Sequence, residues 1–159
     1  MEYEAKRKEY KPDKVRILFV GESRPQQGTF FYFEDSNLFT YTKQAFEKAN
    51  VNFTLDKFKE LGCWLYDVCN CPVNNFTKAA RNAEIKKCIR NLINIIEELK
   101  PYFIIVVKRG YFGNTVMQEL KTTCYNEQNT FNIPFPSCGH QLQYRDELAH
   151  ILEQILRII

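Results

Sequence analysis

Two short apolar runs limit what this chain can fold into more than any other feature. Val15-Arg16-Ile17-Leu18-Phe19-Val20 ends at Gly21, and Phe103-Ile104-Ile105-Val106-Val107 follows Pro101. Both are nearly continuous and rich in β-branched residues. That is the pattern of strands covered on both faces, as in a parallel sheet. A third strand is expected over 63–68 and a weaker fourth near 131–133. Helical spacings fill the gaps. Residues 38–49 read as a helix capped by Ser36 or Asn37, and Thr54 opens a short helix that stops at Gly62. Ile85, Cys88, Ile89, Leu92, Ile96 and Leu99 recur at spacings of three and four, one long amphipathic helix ended by Pro101. Residues 114–122 and 143–159 complete the pattern. The order βα(α)βαβαβα predicts an α/β fold, a three-layer αβα arrangement with a central, mostly parallel four-stranded sheet.

Length and charge narrow the function classes. At 159 residues the chain supports one domain, at roughly 100–200 residues per domain. We place it at 15–159, after a charged segment over 1–14. With 22 Lys+Arg against 19 Asp+Glu, the net charge of +3 is too small for a histone-like binder. Any nucleic-acid contact must then come from a local patch. The first 14 residues carry no apolar signal core, and the longest apolar runs fall far short of the ~20 residues of a membrane span. The six cysteines sit in a chain large enough to bury a good core, so reduced thiols in the cytoplasm are expected, in a monomer with no membrane partner.

In an open α/β sheet, ligands bind beyond the carboxyl ends of the strands. That rule selects four loops: 22–33, 69–78, 108–114 and 134–141. The first lacks both the phosphate-loop and the dinucleotide glycine signatures. It offers Glu22, suited to polarising a water or stabilising a cation, and Phe30, Phe31, Tyr32 and Phe33, suited to stacking a planar ring. At least two of those aromatics are expected in the core instead. Asp67 stands at the end of the third predicted strand, as ligand contact or turn acceptor. Lys108 and Arg109 suit phosphate contact or a solvated turn. His140 suits an acid or donor role or plain surface exposure. No metal site is expected, because Cys69-Asn70-Cys71 alone is not a zinc motif. A Cys138–His140 nucleophile pair is disfavoured by its position on one turn.

Taken in order, these loops resemble the uracil-DNA glycosylase superfamily over most of the chain, from about Val15 to the terminal helix. Gly21-Glu22-Ser23-Arg24-Pro25 is similar to the first motif, which in the iron–sulfur branch reads Gly-Glu-Ala-Pro-Gly. Gly28-Thr29-Phe30-Phe31 is similar to the segment whose aromatic stacks on the flipped base, with Phe31 the better match. Phe135-Pro136-Ser137 is similar to the second motif. The resemblance implies hydrolysis of the N-glycosidic bond of a deaminated or damaged base in DNA repair. Glu22 would act on the water or sugar cation, with His140 a second catalytic candidate. Phe31, Asp67 and Phe30 would hold the base, and Lys108, Arg109 and Ser137 the DNA.

Departures from the family pattern matter as much. Asp67-x-x-x-Cys71-Pro72-Val73-Asn74, followed by Glu84 and Cys88, resembles the iron–sulfur branch in order and spacing. Residues 1–14 contain no cysteine, however, so no iron–sulfur cluster or other cofactor is expected. Cys71 and Cys88 are the residual matches. Asp67 replaces the family's base-reading Asn: an amide both donates and accepts, whereas an ionised carboxylate only accepts. Phe135 replaces the histidine that opens the second motif, and Pro25 falls one position late. The rival expectation is a non-catalytic module on the same fold that binds nucleic acid or a nucleotide. An enzyme acting on a small nucleoside-like metabolite is a third.

Overall fold

The strand that opens the sheet, β1 (Ile17–Ser23), is buried over six of its seven residues and pairs on both sides. A computed structural model describes residues 2–24, 28–69, 72–73 and 75–159. Around β1 stand β2 (Cys63–Cys69), β3 (Phe103–Val107) and β4 (Thr130–Ile133) in the order β2-β1-β3-β4, every neighbouring pair parallel. The sheet is thus all parallel. β1 begins two residues later than the apolar run predicts and extends past it, because Gly21 and Ser23 continue the ladder opposite Asp67 and Cys69.

The helices are α1 (Glu2–Glu9), α2 (Asn37–Lys48), α3 (Leu55–Glu60), α4 (Lys78–Leu99), α5 (Tyr111–Leu120) and α6 (Gln141–Ile155). Side-chain oxygens close three of their amino termini. Ser36 accepts from the Phe39 N–H, Thr54 from that of Lys57 and Thr77 from that of Ala80, caps worth about 1 kcal/mol each. α4 ends where Lys100 turns left-handed before Pro101. The last two helices start and stop earlier than the spacing suggests, with Gly110 and His140 at their amino-terminal boundaries.

Right-handed crossovers decide the layers. The connection from β1 to β2 runs one way along the sheet, and those through α4 and α5 run the other. The two sets therefore cover opposite faces. α4 packs against α5, whereas α2 packs against α6. Phe19, Phe31, Phe39, Phe46, Phe53 and Phe58 interlock beneath α2 and α3 with ring centroids 5.0–5.9 Å apart. Thr42 Oγ1 and the Tyr144 hydroxyl, 2.7 Å apart and buried, tie α2 to α6.

Residues 2–9, read from sequence only as part of a charged segment, form α1 and dock at the β2 edge. Trp64 Nε1 donates to the Arg7 carbonyl at 3.0 Å, and Tyr3 packs edge-on to Phe30 at 4.9 Å.

Candidate active site

Because β1 and β3 lead their connections to opposite sides, their carboxyl ends separate into a crevice. A cavity of about 370 Å³ opens there, in the range of small-molecule sites. Glu22 from β1, Asp67 from β2, Lys108 beyond β3 and Phe135 beyond β4 all line it, with Phe30 and Phe31 from the connection after β1.

Glu22 is buried and held by two cations: one oxygen bonds Arg81 of α4, and Oε2 lies 3.0 Å from Lys108 Nζ. Lys108 reaches it from an uncommon backbone conformation, φ +137°. Its N–H donates to the Ile133 carbonyl at 2.9 Å, and its carbonyl accepts from Asn132 Nδ2 at 2.9 Å. Gly113 permits that arrangement, since a Cβ there would collide with the Lys108 carbonyl oxygen.

Asp67 is fixed differently. Its Oδ2 accepts from Arg7 Nη2 at 3.0 Å, and both side chains are under 9% exposed. Gly21 faces Asp67 across the ladder, and a Cβ at that glycine would strike Asp67 Oδ1. Burial pushes the Asp67 carboxyl above the ordinary aspartate range, and the Arg7 guanidinium opposes that push.

Phe30 and Phe31 are both core residues whose edges reach the cavity. The Phe31 ring lies 5.0 Å from Tyr32 and 5.3 Å from Phe58. Phe30 N–H donates to Asp35 Oδ1 at 2.8 Å, which fixes the approach of this segment to the crevice. Phe135 stands half open at the rim.

Three predicted site residues lie apart from the cavity lining. His140 is exposed at the start of α6, its Nδ1 3.4 Å from Gln143 Oε1. Arg109 pairs with Glu147 at 2.6 Å and donates to the Asn132 carbonyl at 3.3 Å. Ser137 forms a tight turn, its N–H donating to the Phe135 carbonyl at 2.8 Å and its carbonyl accepting from the His140 N–H. Cys71 lies outside the described residues. The described cysteines do not converge: Cys63 and Cys69 close the two ends of β2, the Cys88 thiol donates to Glu84, and Cys124 and Cys138 are exposed. Among the described residues no three His, Cys, Asp or Glu side chains group to hold a metal ion. No described helix is long and apolar enough to cross a membrane.

Sequence reasoning missed both Arg7 and Arg81 as site residues. Arg7 has no periodic apolar neighbourhood to announce it. Its signal lay elsewhere: an aspartate at the buried end of a strand requires a cation nearby.

A family model described as the uracil DNA glycosylase superfamily matches residues 7–156, nearly the whole chain. Comparison with curated proteins finds no match.

Proposed function

The chain belongs to the uracil DNA glycosylase superfamily, and from that premise we propose that it hydrolyses the N-glycosidic bond of a base flipped out of DNA. The observation that carries this reading is Glu22, a buried carboxylate at the mouth of the sheet's crevice, with the Phe30 and Phe31 edges and the Lys108 ammonium in the same cavity. A flipped nucleotide enters with its base against the aromatic edges. Glu22 orients a water toward C1′ and takes its proton as the oxygen–carbon bond forms. The bond from C1′ to the base nitrogen breaks, and the base leaves with the electron pair. Lys108, which lines the cavity where His140 does not, offsets that negative charge. Phosphates flanking the nucleotide are held by Lys108, Arg109 and the turn at Ser137, with Arg109 exchanging Glu147 for DNA.

The ion pairs of Glu22 with Arg81 and Lys108 favour a second reading, a nucleic-acid-binding module without turnover. A carboxylate whose two oxygens are engaged by cations has fewer lone pairs left to orient a water.

The test is incubation with duplexes carrying uracil, hypoxanthine or xanthine, scored for abasic sites, with Glu22→Ala as the control. Base release that vanishes in the variant supports the hydrolase. Salt-sensitive DNA binding without release supports the module.

A further inference from the structure

We propose that Arg7 is a positioning residue that fixes Asp67 as a hydrogen-bond acceptor in the cavity, so that the pocket selects a base edge presenting adjacent N–H donors, as guanine-type bases do, over uracil. The inference rests on the base-pocket reading above and names its ligand class.

Arg7 is held on every side. Its guanidinium lies 5.5 Å from the Tyr66 ring and 5.9 Å from the Phe30 ring, with Nη1 donating to Glu4 at 2.7 Å and Nη2 to Asp67. Nε is buried with no hydrogen-bond partner. Burying a guanidinium at that cost is poor value for stability alone. What the pair does provide is a carboxylate of fixed orientation and charge. Oδ2 faces Arg7, while Oδ1 stands over Gly21, which lines the cavity with Asp67 itself.

The chemistry of that carboxylate sets the preference. Each carboxylate oxygen has two lone-pair sites, so Oδ2 can accept a second donor beside Arg7. A guanine-type edge offers the ring N1–H and the 2-amino group side by side, matching the two oxygens. Uracil offers one N–H flanked by two carbonyl oxygens, and an acceptor set against a carboxylate is repelled. An amide in this place could turn a donor toward a carbonyl, whereas Asp67 held by Arg7 cannot. A cavity of about 370 Å³ admits a purine.

The inference has a pH signature. The charged and titratable groups facing Asp67 are Arg7 and Glu4 of α1, Arg24 beyond β1, and the Tyr32 and Tyr66 hydroxyls. Arg7 is the largest influence holding the carboxyl down against burial. Without it, Asp67 takes a proton at higher pH and becomes a donor as well as an acceptor.

The experiment is calorimetric titration of the full chain with GMP and with UMP from about pH 5 to 8. Wild type should bind GMP about tenfold or more tightly than UMP. Asp67→Asn should erase or reverse that ratio, and Arg7→Met should lose it nearer neutrality than wild type does. If Arg7→Met fails to fold, Arg7→Met/Asp67→Asn, which leaves no buried charge unpaired, should behave as Asp67→Asn. A wild-type preference for UMP, no binding of either nucleotide, or an Arg7→Met profile matching wild type overturns the inference. Duplexes carrying 8-oxoguanine or uracil separate it from the hydrolase reading. GMP preference without base release from either duplex sinks the hydrolase and leaves the pocket's selectivity standing. Faster release of uracil than of 8-oxoguanine overturns the selectivity and keeps the hydrolase.

Discussion

Lys108 Nζ lies 3.0 Å from Glu22 Oε2, and it gets there from a backbone held at φ +137°. A residue with a Cβ resists that conformation, at a cost of order 1–3 kcal/mol. The ladder bond to Ile133 and the Asn132 amide on the Lys108 carbonyl hold it in place. Strain and charge therefore coincide at the residue we propose to offset the leaving base.

The two effects separate by substitution. Lys108→Gly relieves the backbone and removes the ammonium, so it should stabilise the fold by about 1 kcal/mol while slowing base release about 10²–10³-fold. Lys108→Met should slow release equally with no gain in stability. Urea unfolding beside single-turnover kinetics measures both quantities.

The Arg7–Asp67 pair makes a sharper stability prediction. Asp67→Ala leaves a guanidinium 3% exposed with only the half-exposed Glu4 as an ionic partner, and breaking a buried pair from one side costs about 3–5 kcal/mol. The double variant Arg7→Met/Asp67→Ala should recover most of that loss, because no charge remains buried. A double-mutant cycle by denaturant unfolding would show a coupling of at least about 1 kcal/mol. Additive losses would mean that the two side chains do not depend on one another.

Tyr32 performs a structural task at the sheet edge. β2 is an outer strand, and its Leu65 turns N–H and carbonyl away from β1. The Tyr32 hydroxyl accepts from that N–H at 2.7 Å and donates to that carbonyl at 3.0 Å. One side chain thus stands where a further strand would pair. Burial raises the phenol far above its usual range, so it remains a donor at any ordinary pH. Tyr32→Phe should cost about 1–3 kcal/mol, since both Leu65 groups lose their partner. Hydrogen exchange at the Leu65 amide should accelerate in the same variant.

Much of the fold was legible because its strands are apolar without interruption. Runs such as 103–107 have little choice but burial between helix layers, and all four strands were placed. α1 was not legible. Its eight residues, Glu2–Glu9, are mostly charged, and so short a helix is not stable alone. It exists through tertiary contacts at Trp64, Phe30 and Asp67 that no local pattern encodes. The strand-end rule located Glu22, Asp67 and Lys108, which share the cavity. It could not distinguish Lys108 from the adjacent Arg109, because only the turn after β3 decides which cation faces inward. Ser137 belongs to the match with the second motif and His140 only lies near it, and both fall outside the lining, on either side of the turn at Cys138, φ +51°.

The contact between α2 and α6 provides a pH test. Asp146 on α6 accepts from Arg145 Nε at 2.8 Å and from Lys48 Nζ of α2 at 2.8 Å. The Arg145 hydrogen bond, then that of Lys48, lowers its pKa to about 2 from an ordinary value of 3.8. A carboxyl with a depressed folded pKa binds its proton more readily when unfolded. Its stabilising contribution is therefore complete above the unfolded value and lost as pH falls toward the folded one. The window lies between about pH 4 and pH 2. Asp146→Asn should lower the urea midpoint slightly at pH 7 and make the loss of stability across that window shallower than in wild type. Both side chains of the α2–α6 pair are about half exposed, so the difference should shrink in high salt. A wild-type acid limb unchanged by Asp146→Asn would mean that the pair contributes nothing to holding α6 against α2, leaving that contact to Thr42, Tyr144 and the apolar side chains around them.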